Sequence, residues 1–126
     1  MLFRTKQQDG FTVLVFQAPN LLNGMDIEVV EKSLGALLDG GVRRFLLDFH
    51  RVKHISSQAL SMTLRVQLRL EKVPDGKLIL CGLNPQVMEA VKIMRLERLI
   101  PVFPTRREAL KSQKQRENGA TPREND

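Results

Sequence analysis

The stretch "HISSQAL", residues 54–60, gathers residue types able to do chemistry: a histidine and two adjacent serines, with Asp48 and His50 just upstream. Three uses are open to it. A serine at the start of a helix accepts a hydrogen bond from an unpaired backbone N–H, a cap worth ~0.5–2 kcal/mol. A serine near His54, His50 and Asp48 could be a nucleophile, if the base reaches the hydroxyl and a third group orients the base. A serine at a helix N-terminus also suits phosphorylation, because a phosphate there meets free N–H groups and the positive end of the helix dipole. Such a phosphate adds roughly −1.5 to −2 charge.

The nucleophile lacks its usual frame, since no G-x-S-x-G elbow surrounds Ser57. Asp48, His50 and His54 are a partial ligand set, whereas zinc sites recruit Cys or a further His at distinctive spacing. "DGGVRR" lacks the spacing of a phosphate-cradling loop. No catalytic residue, metal or cofactor is therefore expected.

The elements that must position this stretch can be read from periodicity and punctuation. "LFRTK" and "FTVLVFQ" are strands joined through Asp9-Gly10, a hairpin signal. "APNLLNG" is a loop. Ile27, Val30, Leu34 and Leu37 or Leu38 recur at helical steps, predicting a helix over 25–39 that Gly40-Gly41 ends. "VRRFLLDF" and "KLILC" are buried strands. Asn84 caps a helix with Pro85 at its first position. "LIPVF" is a short strand, and its Pro101 suggests an edge. Thr105 and Glu108 form a capping box for a last helix. From about Ser112 almost no apolar residue remains, so 112–126 is expected to be a disordered polar tail after one domain, 1–111.

Segment 58–72 alternates like a strand but is filled with helix formers, and a helix is expected. Leu60, Leu64 and Leu68 then lie on one side, and Met62, Val66 and Leu70 on nearly the opposite side. One stripe can pack on a sheet, leaving the other to bind something. The order β-β-α-β-α-β-α-β-α implies an α/β fold with a mixed, largely parallel sheet.

The totals exclude several classes. The 126 residues suit one compact domain, and the lone Cys81 permits neither an intrachain disulfide nor a Cys-rich metal site. The N-terminus shows no signal-peptide pattern. No apolar run approaches the ~20 residues of a membrane span. A cytoplasmic protein is expected. The net charge is +6, but the basic residues are scattered and not interleaved with aromatics. A solvated surface is preferred to nucleic-acid binding.

The run "RRFLLDFHRVKHISSQALSMTL", 43–64, resembles the core of the STAS domain, whose stand-alone form is the bacterial anti-sigma factor antagonist. The family pattern is an apolar strand ending in Asp, then Val-x-x-Ile, then Asp-Ser-Ser-Gly-Leu opening a helix. Asp48, Val52, Ile55 and Leu60 match it. "DGFTVLVFQ" and "GKLILCGLNPQVMEAVKIMRLERLIPVF" extend the likeness over residues 1–111. The resemblance implies a sheet of four to five strands flanked by about four helices. It also implies a non-enzymatic role: the domain binds an anti-sigma factor that is an ATP-dependent serine kinase, is released by phosphorylation, and is reset by a phosphatase.

Aligned on Ile55 and Leu60, the motif becomes Ser56-Ser57-Gln58-Ala59. Ser57 falls on the phosphoacceptor, with Ser56 as the alternative. Asn20 stands where the family often carries an acid. The partner-binding residues so implied are Asn20, His54, Ser56 and Gln58. On the helix face after them, Met62, Val66 and Leu70 are expected as apolar contacts, with Arg65 and Arg69 beside them. The same stripe could instead be a second core face, covered by a loop or by a second copy in a homodimer. A STAS binding scaffold that is not phosphorylated, in a signalling or transporter-associated complex, is the alternative function.

Overall fold

The computed structural model describes residues 2–21 and 24–119, with side chains as far as Gln115. In chain order the elements are β1 (Phe3–Gln8), β2 (Phe11–Phe16), β3 (Asn20–Leu21), α1 (Gly24–Asp39), β4 (Arg44–Asp48) and β5 (His54–Ile55). Then follow α2 (Ser57–Glu71), β6 (Lys77–Cys81), α3 (Pro85–Ile93), β7 (Val102–Phe103) and α4 (Arg106–Gly119).

Asp9 and Gly10 both take positive φ, 52° and 84°. Two such central residues make a turn whose twist matches that of a hairpin, and β1 pairs antiparallel with β2, Gln8 opposite Phe11. The later pairings are parallel, and the sheet order is β1-β2-β4-β6-β7. The result is the mixed five-stranded α/β sheet with four helices that the sequence led us to expect. Asn84 caps α3 by accepting from the Val87 N–H at 2.7 Å, and Thr105 accepts from the Glu108 N–H at 3.1 Å.

One face of the sheet presents Leu14, Phe16, Phe45, Leu47, Leu78 and Leu80 to Ile27, Val30 and Leu34 of α1 and to Ala59, Met62, Val66 and Leu70 of α2. The other face presents Phe11, Val13, Val15, Leu46, Ile79 and Cys81 to Ala109 and Leu110 of α4.

Two expectations are corrected here. Met62, Val66 and Leu70 are 2%, 6% and 1% exposed, so they are core residues and not partner contacts. A residue advances about 100° around a helix. Counted from Ala59, residues 62, 63, 66 and 70 all fall within about 60° of one line, the line that faces the sheet. Leu60, Leu64 and Leu68 fall at about 100°, 140° and 180°. Leu60 is accordingly buried against Val91 and Leu96, Leu64 is half-buried and Leu68 is exposed.

The second correction concerns the tail. Helix α4 runs on to Gly119 and Gln113 is buried, although disorder was expected from 112. Once Ala109 and Leu110 dock, the following Lys, Gln, Arg and Glu are good helix formers and propagate the helix. Residues 120–126 of that expected tail lie outside the described residues.

A polar cluster at the C-terminal ends of β4 and β6 anchors the chain that leads to residues 54–58. The Asp48 carboxylate is buried. Its Oδ1 accepts from the His50 N–H at 3.0 Å and lies 2.8 Å from His50 Nδ1; its Oδ2 lies 3.2 Å from Arg106 Nε. Gly82 closes over it at φ 75°, where a Cβ would lie 2.9 Å from the His50 nitrogen and 3.1 Å from Oδ1. Burial first, and then the Asp48 charge, push the Cys81 thiol up from 9.0 to about 12.

Met62→Ala should cost ~2–5 kcal/mol in urea unfolding, as a core truncation does, while Leu68→Ala should stay within about 0.5–1 kcal/mol. Between pH 9 and about 12 the unfolded Cys81 thiol is ionised and the folded one is not, so unfolding releases a proton and stability should fall as pH rises through that window. In that window a disulfide reagent should label the native chain far more slowly than the urea-unfolded chain; equal rates would contradict a sequestered thiol.

Candidate functional site

Two strands of two residues each escaped the sequence reading, which placed 18–24 in a loop. They build the site. β3 pairs parallel with β5, Asn20 opposite His54 and Leu21 opposite Ile55. The N–H groups of Lys53 and His54 donate to the Pro19 carbonyl at 2.7 and 3.2 Å, and the Ser56 N–H donates to the Leu21 carbonyl at 2.9 Å. Asn84 Nδ2 donates to the Val52 and Lys53 carbonyls at 3.3 and 3.2 Å. Two loops more than thirty residues apart are thereby laid side by side.

This pairing sets the start of α2. Ser56 is extended, at φ −94° and ψ 163°, and its Oγ accepts from the Ala59 N–H at 3.2 Å. It is the cap. Ser57 is the first residue of the helix and is exposed, as are Asn20, His54 and Gln58. The structure therefore brings Asn20, His54, Ser56, Ser57 and Gln58 to one end of the molecule. Gln58 lies against the start of α1, its Oε1 3.2 Å from where a Cβ on Gly24 would stand.

A cleft runs from Ser57 between α1 and α2. Ser57, Ser61 and Arg65 line one wall, and Met25, Glu28 and Glu31 the other. Arg65 spans it, donating from Nε and Nη2 to the two Glu31 carboxylate oxygens at 2.7 Å each. This fork-to-fork pair is the strongest geometry two such groups can adopt. The hydrogen bond from Arg65 holds the Glu31 carboxyl below its ordinary range, and the reciprocal bond raises Arg65. Further along, Arg69 Nη2 lies 3.2 Å from Asp39 Oδ1. Arg69 crosses α1 at Gly35, where a Cβ would stand 3.0 Å from its Nη1. Arg65 and Arg69 are thus engaged by α1, though about half of each side chain stays exposed.

The sequence reading missed Glu31 and Met25. Residues 31 and 65 are 34 apart, and no local pattern pairs them. Among the described residues, no hydrogen bond joins His54 to Ser57, and Asp48 is committed to His50 and Arg106. The acid, base and hydroxyl of a triad are not assembled. Among the described residues no three His, Cys, Asp or Glu side chains converge as a metal site would require, and no helix is long and apolar enough to cross a membrane.

The chain resembles known proteins over most of its length. The family model for the STAS domain matches residues 3–109. BtrV of Bordetella bronchiseptica, a proposed anti-sigma factor antagonist, is 36% identical over 101 residues, 80% of this chain and 84% of that protein. An anti-sigma-factor antagonist (STAS) domain protein from Planctomyces limnophilus superposes with a TM-score of 0.77 at 23% identity, over 87% of this chain and 95% of that one. The anti-sigma factor antagonist SpoIIAA in its unphosphorylated form gives 0.73 at 21% identity, over 89% and 96%. Its phosphorylated form, from Bacillus, gives 0.68 at 20% identity, over 87% and 97%. With its sheet order, its Asp48-to-Leu60 motif and this family match in agreement, the chain belongs to the STAS domain family.

Proposed function

We propose that this protein is an anti-sigma factor antagonist that binds an anti-sigma factor serine kinase and is switched by phosphorylation of Ser57. One observation carries the choice of residue: the Ser56 hydroxyl is spent on the helix cap, while the Ser57 hydroxyl stands exposed one residue later. Phosphorylating Ser56 would put the cap at risk. Phosphorylating Ser57 would not, and the helix start would favour the added charge.

The switch is electrostatic. Glu28 and Glu31 share the cleft with Ser57, and Arg65 is already matched by Glu31. A phosphate on Ser57 would make that end of the cleft strongly anionic. A partner that seats on the uncharged hydroxyl would then meet like charge and a desolvation cost. Asn20, His54 and Gln58 surround the acceptor and form the contact surface of the unmodified state, joined by exposed Met25 of α1. Met62, Val66 and Leu70 support that surface from inside. The kinase supplies the phosphoryl chemistry and a separate phosphatase removes the group, so the chain needs no catalytic machinery of its own. ATP-dependent signalling of this kind belongs in the cytoplasm.

Incubation with the cognate kinase and ATP, followed by mass spectrometric mapping, should find phosphate on Ser57. Ser57→Ala should abolish labelling and keep binding, and Ser57→Asp should weaken binding about tenfold or more. Binding without phosphate on either serine would instead favour a STAS scaffold that is not switched. In thermal or urea unfolding, Ser56→Ala should cost ~0.5–2 kcal/mol as a lost cap. Ser57→Ala should change stability by no more than about 0.5 kcal/mol.

A further inference from the structure

The long edge of the sheet is β1, on the side away from β4. In a hairpin closed by two residues, the pair flanking the turn exchanges both backbone hydrogen bonds, and such pairs alternate along the ladder. Gln8 and Phe11 are that pair here, so Lys6–Val13 and Arg4–Val15 bond inward too. The Gln17 N–H donates to the Leu2 carbonyl at 2.7 Å, in phase with this alternation. Phe3, Thr5 and Gln7 therefore turn their N–H and C=O groups to the free edge, and no other described backbone group takes them up.

Above that edge the charge is one-sided. Arg4 and Lys6 stand opposite Val15 and Val13, on the face that α4 covers. Helix α4 packs over β6 and β7, which leaves a groove between it and the hairpin. Gln8, Asp9, Arg107, Lys111 and Lys114 line this groove, together with Arg106. Arg106 is committed to Asp48, and Lys114 lies 3.8 Å from Asp9. Arg4, Lys6, Arg107 and Lys111 form no ion pair among the described residues. On the opposite face, Arg65 and Arg69 are matched by Glu31 and Asp39. Gln8 also leaves its Oε1 buried and without a partner.

We propose that the β1 edge accepts an extended acidic segment of a partner protein as a sixth strand. Its backbone would pair with Phe3, Thr5 and Gln7, and its carboxylates would meet Arg4, Lys6, Arg107 and Lys111. Strand addition of this kind draws affinity from main-chain bonds and selectivity from side chains on alternate positions. A second copy of the chain fits poorly, because antiparallel pairing of two β1 edges about Thr5 would set Arg4 of each copy opposite Lys6 of the other, like charge against like. Nucleic acid fits poorly too. The groove has no aromatic side chain on which a base could stack, and phosphates would leave the edge carbonyls unpaired. This surface lies away from Ser57 and does not depend on its phosphorylation.

The test uses the full chain, labelled for amide NMR, and three probes: an alternating Glu-Thr peptide of roughly six to ten residues, its Lys-Thr counterpart, and a short single-stranded DNA. The Glu-Thr peptide should shift and protect the amides of Phe3, Thr5 and Gln7, bind more weakly as salt rises, and outcompete the other two. Thr5→Pro removes only an outward N–H, which an edge strand tolerates, and should weaken binding by about tenfold or more. If Thr5→Pro disturbs the fold by circular dichroism, the surface double variant Lys6→Glu/Lys111→Glu replaces it, with the same loss expected. Preferential binding of the DNA, no binding of the acidic peptide at low salt, or unchanged affinity in a folded variant would overturn the proposal.

Discussion

Asp48 is a carboxylate buried at the end of a central strand, and an isolated charge there would be too costly to keep. It is kept because the His50 N–H and ring on one side and Arg106 on the other meet both of its oxygens. The consequences spread outward. The chain leaving β4 is turned back over Gly82, the start of α4 is tied to the same corner, and residues 50–53 are carried to where β5 can lie along β3. The position of Ser57 follows from that path. Losing one partner of such a buried pair leaves a charge without compensation, which is far worse than never having had the pair.

The two faces of the sheet treat charge differently. Where α1 and α2 meet, Arg65 and Arg69 are answered across the cleft by Glu31 and Asp39, so that surface is close to balanced. Against that background, the phosphate proposed for Ser57 would change the character of the surface. Around the groove between α4 and the hairpin, Arg4, Lys6, Arg107 and Lys111 form no ion pair among the described residues and stand beside an open strand edge. Natural sheets often place Lys on such edges to discourage pairing. The same residues that repel a second copy select an acidic strand.

Ser56 and Ser57 divide their labour by one residue of helix geometry. A cap must be extended, with its oxygen turned back to the N–H three residues on. The next residue is already helical and has no such duty. Adjacent hydroxyls of the same chemistry therefore have different availability, and the difference rests on Ser56 being pinned to Leu21 by its own N–H.

Short-range signals were legible from the residues alone. Asp9-Gly10 specified the hairpin, Asn84-Pro85 and Thr105 the helix starts, and the apolar runs 45–47 and 78–81 the buried strands; the motif over 43–64 carried the family. Each works within a few residues, through φ preferences, caps or side-chain period. Four features were not legible in this way: β3 beside β5, the sheet-facing stripe of α2, the Arg65–Glu31 pair, and the extension of α4 past Ser112. Every one depends on groups that meet only after distant elements have docked. Two-residue strands have no period to detect. Two apolar stripes on one helix are equivalent until a pinned cap sets its rotation. A polar helix end persists only when Ala109 and Leu110 hold the preceding turn against the sheet.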